Sequence, residues 1–449
     1  MAFHRIHFLA NETPSSKSLN HFILGKLFGQ NFNKVKMDSL FTLIDESDRG
    51  MFSVAIYQDG EPVYDRAIGH ADLEAGIKAD TETRYRIGSI SKTFTAVLIL
   101  QLVEQGKLSL DSKLSDFYPK VENANKITIE HLLQHRSGVF NFTDDPEYTS
   151  WMEEPISKKK LLKHIEKLKS DFEPGKQFSY SNSGYVLLSF ILEEVSGKSY
   201  GELLQQNICL PCALESTYFG GKIDPNNKEA YSYAFTKAWE KDTETDMSVP
   251  LGAGALVSTP NELNRFFNCL FSSKLLKAET FEQMTKQVEG YGMGIFEFPL
   301  YKTKAQGHTG GIDGFASNAA YFPKEKVSVA MITNGSMLPL NDLLVGVLSI
   351  YFDKKYELPV FRKAVTIADE ELDAFLGTYS SPSFPLKIKI RKREGLLFGQ
   401  ATGQPEFPLE YIGENRFQFL QAGLELKFDP ETEKMTLKQG GGNYVLKKE

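Results

Sequence analysis

The stretch from Gly88 to Gly106 constrains the chain most. Its apolar residues run densely from Phe94 to Val103 and stop at Gly106, which predicts a mostly buried helix closed by a C-terminal glycine. Ser89 stands at the start of that helix, among backbone N–H groups that lack intrahelical partners and at the positive end of the helix dipole. Negative charge developing near such a serine is favoured. Lys92 follows one helical turn later and comes round to the same face. Desolvated against apolar neighbours, its charged form is disfavoured, and it becomes the base that a serine nucleophile needs.

Ser-x-x-Lys is a short pattern, and roughly three copies are expected by chance in a chain of this composition. A second copy runs from Ser157 to Lys160 inside Ser157-Lys158-Lys159-Lys160, and it reads as a solvated charge run. Ser89 differs in the glycine before it, the apolar helix after it and two further motifs downstream.

The 449 residues exceed the usual size of one domain, so a large domain with a smaller companion is expected. Lysine and arginine number 51 against 58 acidic residues, a formal charge of -7. With no basic stripe carrying interleaved aromatics, nucleic acid is not an expected partner. Cys209, Cys212 and Cys269 make no disulfide framework, and Cys209-Leu-Pro-Cys212 lacks a second pair for zinc, so the cysteines read as packing residues and no metal or cofactor is expected. No apolar run approaches the roughly 18 residues that suggest a membrane-spanning helix. Residues 1–36 read as an N-terminal extension, in which His21 to Gln30 has the outline of a secretory apolar region interrupted by Lys26.

Folded sequence is expected from Met37. A helix to Asp48 leads into the strand Phe52–Tyr57, and Asp59-Gly60 turns it back into Pro62–Gly69 as a hairpin. Ile127–Gly138 reads as a helix capped by Thr128, and the chain to about Phe267 reads as mostly helical. Strands return at Gly307–Gly311, Ala316–Phe322 and Val327–Asn334, with a closing helix from Asp342 to Phe352. The fold class expected is α/β, an antiparallel sheet flanked by helices with an inserted helical subdomain. Glycines at the Gly307–Gly311 edge suit a substrate backbone laid alongside as an added strand.

The second motif is Tyr180-Ser181-Asn182. A tyrosine hydroxyl beside a lysine can pass a proton between nucleophile and leaving group, and an asparagine amide can fix Lys92 and bind a carbonyl. A half-buried aromatic and a turn residue are the competing reading. The third is His308-Thr309-Gly310, whose histidine on its own also fits a satisfied core or surface group.

Together and in this order, Ser89-Ile90-Ser91-Lys92, Tyr180-Ser181-Asn182 and His308-Thr309-Gly310 resemble the active-site signature of the serine β-lactamase and penicillin-recognising superfamily. Among its members the class C-like branch of D-alanyl-D-alanine carboxypeptidases, D-aminopeptidases and β-lactamase-fold esterases is the nearest. The resemblance covers about Met37 to Asp353 and takes in Ile127–Gly138, Gly252–Thr259 and Tyr291–Gly294. It implies that Ser89 is acylated, that Lys92 and Tyr180 share the proton work, and that Asn182, His308, Thr309, Gly310 and Gly311 bind or orient substrate. The backbone N–H groups of Ser89 and Gly311 would form the oxyanion hole. The β-lactamase pattern has lysine where this chain has His308, which favours an esterase or D-amino-acid peptidase over a true β-lactamase. A true β-lactamase or a D-alanyl-D-alanine carboxypeptidase is the alternative, and a catalytically silent peptidoglycan-binding module a further one. The resemblance also suggests a periplasmic or secreted location, and a partner that is a small or peptide-like ester or amide.

Residues 37–358 are therefore expected to form the hydrolase domain and 359–368 a linker. Residues 369–449 alternate in period two between turn signals, as in a small antiparallel β-barrel, and resemble the lipocalin-like C-terminal domain of some class C-like hydrolases.

Overall fold

A computed structural model describes residues 32–449, so the secretory-like segment His21–Gln30 lies outside the described residues. Helix α1 (Lys34–Glu46) precedes the hairpin of β1 (Gly50–Gln58) and β2 (Glu61–Ile68). The long helices that follow are α2 (Ser91–Glu104), α3 (Asn182–Ser196) and α4 (Pro260–Phe271). Strands β3 (Phe296–Leu300), β4 (Thr303–Ile312), β5 (Phe315–Phe322) and β6 (Val327–Ser336) come next, closed by α5 (Leu340–Tyr351). The six strands form one antiparallel sheet in the order β3-β4-β5-β6-β1-β2. The two ends of this unit are thus joined in register, Ala55 opposite Ala330 and Ile56 opposite Val329, with the helical section inserted between them.

Both faces of the sheet are covered, and the two-residue period divides them. Phe52, Val54, Ile56, Val329 and Met331 pack with Met37, Phe41 and Val347 of α1 and α5. Ala330, Ile332 and Ala319 turn the other way, into the core that holds α2, α3 and α4. Helix α2 is buried on nearly every side, from Ser91 through Leu100, which is why its sequence carries no polar stripe. Gly106, at φ +68°, follows it in the left-handed conformation that glycine adopts without steric cost.

Three expectations need correction. The segment Ile127–Gly138 is helical only from Ile129 to Leu133: Thr128 caps it, accepting from His131 N at 3.1 Å, but His135 takes φ +56° and the chain turns away. The middle section is not wholly helical, since Tyr85–Arg86, Leu256–Ser258 and Tyr218–Phe219 form a small sheet and Tyr233–Phe235 pairs with Trp239–Lys241. Cys212 and Cys269, 57 residues apart, form a disulfide that ties the chain before Ala213 to α4, while Cys209 alone stays a buried thiol donating to Thr217 O. The packing reading of the cysteines therefore holds for Cys209 only, because sequence spacing does not reveal which helices meet.

The tail forms a closed barrel of β7 (Gly377–Ser381), β8 (Phe384–Arg393), β9 (Leu396–Ala401), β10 (Glu406–Tyr411), β11 (Arg416–Phe419), β12 (Leu424–Asp429), β13 (Lys434–Gln439) and β14 (Gly442–Lys448). Strand β7, which closes it against β14, has Tyr379 as its one buried residue, too little alternation to be read in advance. The barrel is fastened to the sheet by buried Arg49, which donates to both Glu410 carboxylate oxygens at 2.8 and 2.9 Å and to Arg362 O at 2.8 Å. Among the described residues no helix is long and apolar enough to cross a membrane.

Candidate active site

The sequence around Ser89 dictates an abrupt change of direction. The strand Tyr85–Arg86 ends at Ile87, Gly88 takes φ +52°, and Gly88–Ile90 makes one turn of 3₁₀ helix before α2 begins at Ser91. Ser89 stays partly exposed on this turn while its neighbours are buried. Strand β4 runs hard against the same turn. A Cβ on Gly88 would lie 2.7 Å from Gly311 N, and one on Gly310 would lie 2.0 Å from Ile87 O. Glycine is required at both places because the obstructing atoms are backbone. The close approach brings Gly311 N against the turn that carries Ser89.

Lys92 is fully buried on α2. Its Nζ lies 3.0 Å from Ser89 Oγ, 2.7 Å from Asn182 Oδ1 and 2.7 Å from Ala253 O. All three partners are uncharged oxygens, and burial holds the amine well below the ordinary lysine value. A neutral amine fits this set: two N–H bonds go to the two carbonyl oxygens, and the remaining lone pair faces the serine hydroxyl. Nζ also sits 4.8 Å from the centre of the Tyr180 ring. The Tyr180 phenol is hydrogen-bonded with Ser89; burial raises its pKa, and this bond opposes the rise.

Asn182, the first residue of α3, is itself held. Its backbone N donates to Asn141 Oδ1 at 2.9 Å and its Nδ2 to Thr143 Oγ1 at 3.0 Å, so the amide oxygen is left to Lys92. The segments Gly252–Thr259 and Tyr291–Gly294 find their use around α2. The first supplies Ala253 O and is pinned where Leu256 N donates to Ser91 Oγ at 3.1 Å. The second packs on α2 so closely that a Cβ on Gly294 would lie 2.7 Å from Lys92 O, and Thr93 Oγ1 donates to Gly294 O at 2.7 Å.

His308 is buried on β4, and both ring nitrogens are engaged. Nδ1 faces Thr309 O, an acceptor only, so it carries the proton; Nε2 then accepts from Tyr291 Oη at 2.9 Å. Burial lowers the His308 pKa to about 3. The ring is a neutral support 6.4 Å from the Tyr180 ring, without a nitrogen open to substrate. Thr309, Gly310 and Gly311 are the partly or fully exposed residues that β4 presents beside Ser89.

Sequence reasoning passed over a second supporting layer. Arg86 is 2% exposed and donates to Asp313 Oδ2 at 2.9 Å, Thr245 O at 2.8 Å and Gly221 O at 3.0 Å. Asp313 in turn accepts from Thr245 N and Oγ1 at 3.0 and 2.6 Å. This buried pair locks the approach to Ser89 onto the turn that follows Gly311. An arginine inside the apolar run Tyr85-Arg86-Ile87 was the available signal, since a buried charge needs a partner.

With this geometry, the chain can be placed among known proteins. The sequence model of the Beta-lactamase family matches residues 39–342, more than half of the chain. The protein belongs to the Beta-lactamase family. Penicillin-binding protein 4* of Bacillus subtilis (strain 168) is 25% identical over 431 residues, 88% of this chain and 94% of that protein. Teichoic acid D-alanine hydrolase of Staphylococcus aureus is 28% identical over 291 residues, 63% of this chain and 70% of that enzyme. Among solved structures, the octameric penicillin-binding protein homologue from Pyrococcus abyssi superposes with a TM-score of 0.66 at 26% identity, covering 92% of this chain and all of the other, 100%. D-amino acid amidase from Ochrobactrum anthropi SV3, at 22% identity and a TM-score of 0.63 over 71% of this chain and 99% of its own, shares the fold.

Proposed function

We propose that this member of the Beta-lactamase family is a serine hydrolase that forms an acyl-enzyme on Ser89 and cleaves small carboxylic esters and D-amino-acid esters or amides in preference to β-lactams. The observation that carries the reading is the Lys92 amine, buried with three uncharged oxygens as its partners among the described residues and 3.0 Å from Ser89 Oγ. The Ser89 proton passes to Lys92 as Oγ attacks the carbonyl carbon. The amides of Ser89 and Gly311 receive the oxyanion. Tyr180, hydrogen-bonded with Ser89, relays a proton to the leaving group, and a water then releases the acid by the reverse sequence. Lys92 and Tyr180 titrate as a coupled pair, so neither is the sole base.

Neutral His308 argues against a β-lactamase, because it supplies no positive charge to hold a substrate carboxylate. The D-amino-acid preference draws on the names of two relatives, a D-alanine hydrolase and a D-amino acid amidase. The Cys212–Cys269 disulfide supports work in an oxidising compartment.

Intact-mass measurement after a fluorophosphonate, with Ser89→Ala as control, tests the nucleophile. One adduct on Ser89 is expected, together with turnover of p-nitrophenyl esters and D-amino-acid amides and slow or no turnover of nitrocefin. Failure to acquire any adduct from either a fluorophosphonate or a β-lactam would leave a silent binding module. Rapid nitrocefin hydrolysis without esterase activity would reverse the substrate order.

A further inference from the structure

We infer that His135 is a positioning residue for the reaction, acting through the acceptor Nδ1 of its neutral ring. The inference rests on the proposed acyl-enzyme chemistry and adds a residue to it. His135 is 1% exposed and lies just past the short helix Ile129–Leu133. It grips the Tyr180-Ser181-Asn182 segment at two points. Its carbonyl accepts from Ser179 N at 2.9 Å, and its Nδ1 accepts from Ser181 N at 3.1 Å. The two amides it holds lie on either side of Tyr180, and Ser181 separates the two residues that meet Lys92. The ring also lies 4.2 Å from the Tyr180 ring, tilted by 33°, and 4.7 Å from that of Tyr291. Tyr291 donates to His308, so His135 touches both the phenol and the support behind it.

Two costs accompany this arrangement. The backbone of His135 is held at φ +56°, which L side chains rarely adopt. With Nδ1 accepting, the neutral ring carries its proton on Nε2, and that N–H is buried without a hydrogen-bond partner among the described residues. Burial keeps the ring neutral. An aromatic hydrocarbon would fill the same space without an orphaned N–H. What imidazole supplies beyond filling is the acceptor for Ser181 N, and that bond fixes where the Tyr180 hydroxyl and the Asn182 amide stand relative to Lys92.

Asparagine carries Oδ1 at the same number of bonds from the backbone as histidine Nδ1, and it tolerates a positive φ. Glutamine carries its oxygen one bond further out. The test compares His135→Asn with His135→Gln in the full-length protein, reading kcat and KM for a p-nitrophenyl ester, the rate of the acylation burst, and thermal melting. His135→Asn is expected to stay within about 5-fold of wild-type kcat. His135→Gln is expected to lose about 10- to 100-fold in kcat and in burst rate, with KM changed less than about 3-fold, the size of effect a misplacement of about 1 Å produces. Equal kcat for the two variants, or losses that follow melting temperature and not acceptor position, would overturn the inference. A wild-type protein that acquires no acyl group on Ser89 would instead refute the proposed chemistry.

Discussion

Two segments of this protein share the pattern Ser-x-x-Lys, and they have little else in common. In the first, Ser89 sits on a 3₁₀ turn and Lys92 is fully buried, its amine shared among Ser89 Oγ, Asn182 Oδ1 and Ala253 O. In the second, Ser157 is the exposed cap of helix Lys158–Ile165, accepting from the backbone N of Lys160 at 3.3 Å, and the Lys160 side chain is exposed. In the first the side chains of serine and lysine meet, and in the second the serine meets only backbone. Four residues of sequence therefore do not make a nucleophile. The difference is supplied by segments far away in sequence: strand β4 pressed on Gly88, helix α3 delivering Asn182, and the loop at Ala253.

The comparison breaks most easily at the reacting groups. Ser89→Ala or Lys92→Met should reduce kcat/KM for a p-nitrophenyl ester by about 10⁴-fold or more, since residues of one catalytic unit lose most of its effect singly. Activity near wild type in either variant would leave Ser89-Lys92 no better than Ser157-Lys160. The next largest effect probes the strand that distinguishes the first segment. Gly310→Ala puts a Cβ 2.0 Å from Ile87 O and 2.4 Å from Ser317 Oγ, so β4 must move away from the Ser89 turn. A kcat loss of about 100-fold is expected. Gly311→Ala, whose Cβ would meet nothing nearer than Phe315 O at 3.9 Å, should lose at least about tenfold less, and steady-state kinetics of the pair would sharpen the role of close approach.

Burial of Lys92 makes a further difference measurable without substrate. Its folded value lies well below 10.5 because burial disfavours the charged form. Between that lowered value and 10.5 the unfolded chain binds the extra proton, so stability rises with pH across the window. Relative to Lys92→Met, wild-type stability should climb by up to about 1.4 kcal/mol per pH unit within it. Urea titrations of both proteins at several pH values check the slope. A difference that stays flat with pH would mean that Lys92 is charged when folded and is no base. Activity has the same sign, rising as the pH passes upward through the value at which Lys92 gives up its proton.

Much of this was legible in the sequence, for reasons that differ from residue to residue. The α2 helix and the strands β5 and β6 announce themselves because a covered sheet and an all-round buried helix demand dense apolar runs. Ser89, Lys92, Tyr180 and Asn182 could be named from motif and resemblance, and the fold brings them together. The supporting layer was not legible. Asn141 and Thr143 hold Asn182 from 41 and 39 positions away, and Arg86 meets Asp313 across 227. Such pairings depend on which loops converge, and no local period encodes them. The partner of His308 was not legible either, because a histidine in a motif gives no sign of its burial or of the Tyr291 hydroxyl behind it. The Cys212–Cys269 disulfide was invisible for the same reason.

The smallest effect belongs to the second segment and completes the contrast. Ser157→Ala removes a side-chain acceptor from the start of helix Lys158–Ile165, where the backbone N of Lys160 would then lose its side-chain partner. Losing such a cap costs about 1 kcal/mol. The Lys160 N–H also donates to Ser157 O at 2.9 Å and the site is exposed, so the cost should fall at or below that figure. Helix Lys158–Ile165 buries Leu161 and Ile165 in the core and packs Leu162 against it, and none of its residues hydrogen-bonds to Ser89, Lys92 or Asn182 among the described residues. A denaturation midpoint slightly lowered, with kcat and KM unchanged, is the outcome a structural serine must give. Should Ser157→Ala alter kcat, the surface segment would be coupled to the chemistry, and the distinction between a serine that meets an amine and a serine that caps a helix would no longer separate function from structure in this chain.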